Sequence, residues 1–205
     1  LANLAKSSVG FLRDKDWVPH AADLLATLIN ERTVHRAAIF QQSEETEQPT
    51  FETVVACEFN QGEPLFLDSA KGEQLSEASE RLVHRPWLDQ LRSQNEIFGK
   101  SEEFDSRAEN LLNGEYISAL LLVPIFVENQ LWGFIRFDNL SKSRPWSDDQ
   151  LDALRVVGAV VSTAINKHEF DSRQAKLERR LLLAQKRESL GVLASGVADN
   201  FRSLV

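Results

Sequence analysis

The sequence contains no methionine and only one cysteine, Cys57, in 205 residues. A lone cysteine cannot form an intramolecular disulfide, which excludes the disulfide-rich secreted class and fits a reducing cytoplasm. Cys57 lies in an apolar stretch without an evident histidine partner, so a buried structural thiol is favoured over a chromophore anchor or a catalytic nucleophile. Because the chain does not begin with methionine, we expect it to be a part cut from a longer protein.

Positive charge is also scarce. The sequence has 23 lysine and arginine residues and 31 acidic residues, which give a formal net charge of −8. Nucleic acids and anionic membranes bind basic surfaces, so neither is an expected partner. The basic cluster between Arg173 and Arg187 is interleaved with Glu178, and we interpret it as a solvated helix face.

Long apolar runs and catalytic motifs are missing as well. The longest apolar run, 117–127, is shorter than the roughly 20 residues that cross a bilayer, and we expect no signal peptide. The sequence shows no glycine-rich phosphate loop, no cluster of metal ligands and no nucleophile elbow. The apolar fraction of 42% nevertheless supports one folded core with additional helix, which we expect in the cytoplasm.

A long helix at the C-terminal end organises the sequence. The segment 147–205 contains no proline. Its first apolar face, with spacings of three or four residues, consists of Leu151, Leu154, Val157, Val161 and Ile165. Ser147 and Gln150 have the spacing of a capping box, and Trp146 precedes them as half of a hydrophobic staple with Leu151. An unbroken helix of this length would span about 90 Å, so we interpret it as a rod that links a sensor to an output.

The remaining elements are predicted from apolar periodicity and turn residues. Helices are expected at 16–29, at 79–93 with a break or fresh start at Pro86, and at 105–113. Strands are expected at 36–41, 51–59, 95–99, 117–127 and 131–137, with loops at 43–50 and 61–77. Alternation in the last strand predicts one face with Leu131, Ile135 and Phe137, and the other with Trp132, Phe134, Arg136 and Asp138. This order predicts an α+β domain with a mainly antiparallel sheet, helices on one face and loop segments on the other.

The C-terminal half of the domain carries a family resemblance. The segments that bear it are LVPIFV at 122–127, LWGFIRFD at 131–138, RPWS at 144–147 and the helix 148–165. They resemble the GAF family of small-molecule sensor domains, in particular those fused to histidine kinases. The resemblance implies a GAF-like sensor domain at 16–168, preceded by an N-terminal helix or linker at 1–15.

A second resemblance concerns the segment AQKRESLGVLASGVA at 184–198, which is similar to the start of the dimerisation and phosphotransfer helix of histidine kinases. The resemblance places Asp199 where the phospho-accepting histidine is expected and Asn200 where its neighbouring acid is expected. Phosphotransfer needs a neutral imidazole nitrogen as nucleophile and a carboxylate beside it. We therefore expect no catalytic residue in this chain, and 169–205 to be a signalling helix that begins a histidine-kinase-like dimerisation domain.

Two apolar seams predict that this helix pairs with a second copy of itself. The first seam consists of Leu177, Leu181 and Ala184. The second seam consists of Leu190, Ala194, Val197, Phe201 and Leu204. Spacings of three and four residues are those of a coiled coil, and the two seams are out of step by about one residue. We hypothesise that the chain forms a homodimer through both seams. A rearrangement of the sensor would then shift the balance between pairing through the first seam and pairing through the second.

The GAF resemblance also implies a ligand site between the sheet and the loop-helix face. Its expected lining is His84, Trp87, Phe98, Tyr116, Trp132, Phe134 and Arg136. Aromatic walls with a few polar groups suit a small planar ligand, and the alternative is that these side chains fill the core. Arg136 is expected either to hold an anionic ligand or to pair with Asp138. His84 lacks a second ligand at helical spacing, so no metal is expected.

These features favour a cytoplasmic GAF sensor module of a degenerate or truncated sensor histidine kinase. The module would relay ligand or conformational state through a dimeric helix to a kinase or response-regulator partner. Two alternatives stay open at this point. In the first, the chain is a fragment of an active sensor kinase whose acceptor histidine was mutated. In the second, it is a ligand-free dimerisation module.

Overall fold

A computed structural model describes residues 17–30, 32–43, 51–67, 85–100, 117–141 and 146–202, with side chains of the last segment described to Gly191. The helices are α1 (Val18–Leu28), α2 (Arg85–Arg92) and α3 (Asp148–Arg202). The strands are β1 (Arg36–Gln42), β2 (Phe51–Asn60), β3 (Glu63–Leu67), β4 (Ile97–Lys100), β5 (Ala119–Val127) and β6 (Gln130–Asn139). The chain divides into two units, Leu1–Asn166 and Lys167–Val205.

The six strands form one antiparallel sheet in the order β3-β2-β1-β6-β5-β4. Each of its faces is covered by a separate apolar cluster. The α1/α3 core includes Ala21, Leu24, Leu25, Ile39, Leu121, Ile135, Phe137, Leu154, Val157, Val161 and Ile165. The α2 core includes Ala38, Phe40, Phe51, Leu88, Leu91, Ile97, Leu120, Leu122 and Phe134. The predicted α+β architecture with an antiparallel sheet and a long C-terminal helix is confirmed, and α2 packs on the face that was expected to carry loop segments.

The strands predicted at 117–127 and 131–137 are confirmed as β5 and β6, which form a hairpin. β5 is almost entirely apolar and alternates between the two cores, because it is paired on both sides and covered on both faces. Glu128 (φ 50°) and Asn129 (φ 67°) form the two-residue turn, and both adopt the left-handed conformation that a tight hairpin requires.

A β-bulge in this hairpin corrects the predicted faces of β6. Ile125 pairs with Gly133, whereas Phe126 pairs with Leu131, so Trp132 is the extra residue of the bulged strand. As a result Trp132 packs against the α1/α3 core and Leu131 against the α2 core. The prediction that Trp132 shares a face with Phe134 was wrong, because strict alternation assumes an unbroken register.

Strand β3 was missed, since the prediction for 61–77 was a loop. Gln61 (φ 49°) and Gly62 (φ 100°) form a second two-residue turn, which returns the chain antiparallel to β2. β3 is the edge strand of the sheet and contains Pro64, a residue that edge strands tolerate. Its glutamate and proline hide the alternation on which the prediction of a strand depends.

The start of α3 agrees with its predicted capping box and staple. The Ser147 backbone N–H donates to Gln150 Oε1 at 3.0 Å, and the Gln150 backbone N–H donates to Ser147 Oγ at 3.3 Å. Trp146 and Leu151 are both 6% exposed and belong to the α1/α3 core. These local contacts fix the residue at which the helix begins.

Helix α2 is described from Arg85 to Arg92, with Pro86 near the start of this range, and the predicted start at 79 lies outside the described residues. The first turn of the described helix contains no acidic residue. Leu88 and Leu91 are the buried side chains through which the helix packs against the sheet. The predicted helix at 105–113 lies outside the described residues.

Candidate functional site

Three aromatic rings occupy the centre of the sheet face that carries α2. Phe134 stacks on Phe40 with ring centroids 5.0 Å apart, and Phe51 meets Phe134 edge-on, also at 5.0 Å. All three side chains are 2% exposed or less. The rings therefore fill the middle of this face as core, and any ligand on this face would lie at the border of the cluster.

A charged network continues the same face of β6 towards its C-terminal end. Arg136 Nε donates to Asp138 Oδ1 at 2.8 Å and to Oδ2 at 3.0 Å. Arg136 is 7% exposed and Asp138 is fully buried. Arg36 of β1 lies 4.0 Å from Asp138 and 3.6 Å from Glu58 of β2, so two arginines and two acids balance across three strands.

This network decides how Arg136 is paired. The local ion pair, one of the two roles expected for this residue, is present. An anionic ligand would have to engage the terminal guanidinium nitrogens, since Nε is already used by Asp138. The balanced charge also removes the excess positive potential that would attract a free anion.

The structure separates the predicted ligand-site residues between the two faces. Trp87 packs against the α2 core, the same face as Phe134 and Arg136. Trp132 instead meets Trp17 of the α1 side, with centroids 5.9 Å apart. Phe98 lies next to Trp146 at 6.5 Å. The predictions for His84 and Tyr116 lie outside the described residues, so the described candidates on the α2 face are Trp87, Phe134 and Arg136.

Cys57 is fully buried in the α1/α3 core. Burial, assisted by the negative charge of Glu58, raises the pKa of the Cys57 thiol to about 11. Nucleophilic and redox chemistry needs the thiolate, which a raised pKa disfavours. The structure thus gives this cysteine a packing role.

We predict that Cys57 of the folded protein reacts very slowly with a thiol-specific reagent. At pH 8 the higher pKa alone lowers the thiolate fraction about a hundredfold, and burial slows the reaction further. The measurement is the rate of modification by Ellman's reagent at pH 8, with and without denaturant. Equal rates in the two conditions would contradict the buried position.

Helix α3 is attached to the sheet domain by polar contacts that sequence reasoning missed. At its start, Trp146 Nε1 donates to the carbonyl oxygen of Thr33 at 2.6 Å. About two turns into the helix, Arg155 Nε donates to both carboxylate oxygens of Glu96 at 2.9 and 3.0 Å. These partners are far apart in sequence, so no local pattern indicates them.

The last of these attachments uses the β-bulge. Asn166 Nδ2 donates to the carbonyl oxygen of Phe126, the residue at which the register of β5 and β6 shifts. Between the attachments, Gly158 lies against Val123, where a Cβ would come within 2.7 Å of Val123 Cγ1. A glycine lets the helix approach β5 closely, so contacts with the sheet continue along α3 as far as Asn166.

The part of α3 beyond Asn166 carries large apolar side chains in water. Phe170 is 59% exposed, and the leucines at 177, 181 and 190 are 57%, 65% and 57% exposed. Ala184 is exposed as well. Ala194, Val197 and Phe201 lie on the helical backbone without described side chains, and Leu204 lies outside the described residues. In proteins generally, a larger contiguous apolar patch on the surface is often an interaction surface.

Two further findings concern the described ranges only. In those ranges, no three histidine, cysteine or acidic side chains are grouped as a metal site would require. None of the helices there has the length and hydrophobicity needed to cross a membrane.

The sheet order, the two cores and the long C-terminal helix define the GAF-like class of α+β domains. The sequence matches the GAF domain family over residues 6–165. The chain therefore belongs to the GAF domain family.

Solved structures support the fold. A phycocyanobilin-bound GAF domain from a cyanobacterial phytochrome superposes with a TM-score of 0.60 at 11% identity, over 83% of this chain and 95% of that one. The GAF region of a Geobacter sulfurreducens membrane protein gives 0.52 at 12% identity, over 79% and 97%. A domain assigned to a two-component sensor histidine kinase of Sinorhizobium meliloti gives 0.50 at 22% identity, over 77% and 94%. At these identities the likeness establishes the fold alone.

One curated relative is closer in sequence over a short stretch. The methanogenesis regulatory histidine kinase FilI of Methanothrix harundinacea is 44% identical over 48 residues. The match covers 23% of this chain and 5% of that kinase. The GAF domain is thus related to domains of sensor histidine kinases, while this chain corresponds to a small part of that relative.

Proposed function

We propose that this chain is the sensor module of a sensor histidine kinase or a degenerate descendant of one. In this proposal the GAF domain responds to a ligand or to a conformational change, and α3 relays the response to a kinase or response-regulator partner. The observation that carries the proposal is the single helix α3. Its buried residues up to Ile165 belong to the core of the sheet domain, and its exposed leucines begin at Leu177.

The relatives support this assignment to signalling. The FilI relative is named a regulatory histidine kinase, and the Sinorhizobium domain belongs to a two-component sensor. Because the chain belongs to the GAF family, a site for a small ligand on the sheet is a reasonable proposal. A kinase-type output fits these neighbours better than a free-standing enzyme.

The chemistry of Asp199 and Asn200 sharpens the proposal. A carboxylate at position 199 presents negative charge to the phosphate groups of ATP, and an amide at position 200 cannot accept a proton as a base. We infer that this helix pairs and signals but is not phosphorylated on histidine. The segment 184–205 contains no histidine, so incubation with a downstream kinase region and labelled ATP should leave it without labelled phosphate. A labelled acyl phosphate on Asp199 would overturn the inference that this helix accepts no phosphate.

Pairing through the seams is the part of the proposal that is easiest to test. We expect the chain to sediment as a dimer, and Leu177→Glu with Leu181→Glu to convert it to a monomer, because two charges would enter an apolar seam. Both side chains are exposed in the single chain, so the melting temperature of the GAF domain should not change. Arg179→Glu is the matched control on the opposite side of the helix. A wild-type monomer at every concentration tested would contradict the proposal.

A second candidate function is a ligand-free dimerisation module. The observation that favours it is the buried cluster of Phe40, Phe51 and Phe134, which fills the centre of the candidate ligand face. Thermal-shift screening with small planar compounds distinguishes the two. A stabilising compound whose effect is lost in Trp87→Ala supports the sensor, whereas the absence of any shift across the screen supports the closed module.

A further inference from the structure

One exposed leucine of α3 is surrounded by positive charge. The Leu183 side chain is 50% exposed. Residues three and four positions away are its neighbours on the surface of a helix. All four of these neighbours are basic and exposed, namely Arg179, Arg180, Lys186 and Arg187. These five residues are called the Leu183 patch.

The acidic residues nearest in sequence lie on another side of the helix. Glu178 and Glu188 are each five positions from Leu183, which places them about 140° away around the helix axis. In the sequence, Glu178 interrupts the basic cluster, and this interleaving indicates a solvated face. The helix removes the interleaving, because the patch and the two acids face different directions. Sequence order alone therefore understates the positive charge of this face.

Acids of the same chain do not compensate the four cations of the patch. None of the residues three or four positions from any of these cations is acidic. Among the residues that the structure describes, the ion pairs lie in the sheet domain and in the first turns of α3, and none includes a cation of the patch. Lys176 adds repulsion at helical spacing from Arg179 and Arg180, which destabilises a helix. This cost to the helix favours a role in binding.

We propose that the Leu183 patch binds an acidic segment of a partner protein, one that places an apolar side chain between carboxylates. The apolar side chain contacts Leu183, and the carboxylates pair with the surrounding cations. Three of the four cations are arginines, whose planar guanidinium groups bind carboxylates through two parallel hydrogen bonds. Arginine is also enriched at protein interfaces, whereas lysine is depleted there.

The apolar contact and the charges of the patch depend on each other. An ion pair between exposed side chains contributes little, because water screens it. An apolar side chain seated on Leu183 removes water from the flanking cations, and weaker screening strengthens their pairs with carboxylates. A single leucine buries far less area than a specific interface needs. The partner must therefore supply both an apolar side chain and acids.

Two other occupants fit the patch less well. A bilayer with anionic headgroups is an extended surface, and it repels a chain whose formal net charge is −8. The same face of a second copy would bring arginine against arginine, which is unfavourable. A short acidic segment avoids both penalties. The inference does not depend on the proposed dimer, because every residue of the patch is exposed in the single chain.

Fluorescence anisotropy with two labelled peptides tests the proposal on the full chain. One peptide carries a leucine between pairs of glutamates, and the matched peptide carries a serine in place of that leucine. At physiological salt we expect the wild-type chain to bind the leucine peptide about tenfold more tightly than the serine peptide. Leu183→Ala should abolish this preference. Equal binding of the two peptides by the wild-type chain, or binding of neither, overturns the proposal.

Matched variants locate the contact on the helix. Leu181 is 65% exposed, and none of the residues three or four positions from it is basic, so Leu181→Ala should keep the leucine preference. Arg187→Gln should weaken binding of the leucine peptide about fivefold, whereas Arg92→Gln, which removes an exposed cation of α2, should leave it unchanged. A preference that survives in Leu183→Ala contradicts the assigned position.

Vesicles of phosphatidylcholine and phosphatidylserine are the second probe. Tighter binding to these vesicles than to the leucine peptide would identify a membrane surface and overturn the protein partner. Sedimentation of the same variants measures pairing of the chain separately. A monomer that keeps the leucine preference rejects the proposed dimer and retains the Leu183 patch, whereas a dimer without the preference does the reverse.

Discussion

Replacement of Gly133 by alanine should destabilise the GAF domain by about 3 kcal/mol or more, enough to unfold much of a protein of ordinary stability. A Cβ at this position would overlap the carbonyl oxygen of Phe40 and lie 3.0 Å from its carbonyl carbon. Those atoms are backbone of β1, which is paired on both sides and cannot move without breaking the sheet. Urea denaturation followed by circular dichroism measures the loss.

Two other glycines provide a graded comparison for this variant. Gly158→Ala meets only the Val123 side chain, which can rotate, and gains helix propensity, so its cost should be clearly smaller. Gly191→Ala has nothing within 4 Å and should stabilise the helix slightly. A Gly133→Ala protein as stable as Gly191→Ala would show that β1 and β6 are not packed at this distance.

Loss of the Asp138 carboxylate should be the second large effect. Asp138→Ala leaves the buried guanidinium of Arg136 without its partner and also removes one of the two acids beside Arg36. Breaking a buried ion pair from one side typically costs about 3–5 kcal/mol, because the remaining charge stays desolvated. We expect a loss in this range in the urea midpoint analysis.

An exposed pair on the same domain is the matched control. Glu96→Ala removes the bidentate partner of Arg155, whose side chain is 42% exposed and whose pKa the hydrogen bonds to Glu96 and Asp152 hold above its ordinary value. Solvent screens this pair, so its loss should cost at most about 1 kcal/mol. Replacing both Arg136 and Asp138 by leucine should cost less than Asp138→Ala alone. If Asp138→Ala and Glu96→Ala cost the same, the buried network does not exist as described.

Local chemistry made part of this fold predictable from sequence. The capping box at Ser147 and the apolar strand at 117–127 are each encoded within a few neighbouring residues, and both are confirmed. The same logic explains why α2 could be expected to begin near Pro86.

The missed features depend on pairing across the sheet. The bulge at Trp132 is visible only in the register between β5 and β6, and it moved one predicted ligand-site residue to the opposite face. The attachment of Arg155 to Glu96 joins residues 59 positions apart, which no local pattern indicates. For Arg136, sequence offered two partners, and the geometry of Asp138 on the same face decided the pairing.

The attachments of α3 would give the proposed relay its physical basis. Trp146, just before the helix, is bonded to the segment before β1, Arg155 to the residue before β4, and Asn166 to β5. A rearrangement of the sheet must therefore move or release the helix at defined points. Asn166 is the most informative of these, because it bonds to the bulged end of the β5–β6 hairpin.

The most direct measurement of this relay is the distance between the two copies of α3, reported by a spin label at Arg179→Cys. Asn166→Ala releases the helix from Phe126, whereas Ser162→Ala removes a side-chain hydrogen bond only within the helix, to the carbonyl oxygen of Gly158. We predict that Asn166→Ala shifts the distance distribution and that Ser162→Ala leaves it at the wild-type values. Three identical distributions from folded dimers would contradict the claim that the GAF domain controls how the helices pair.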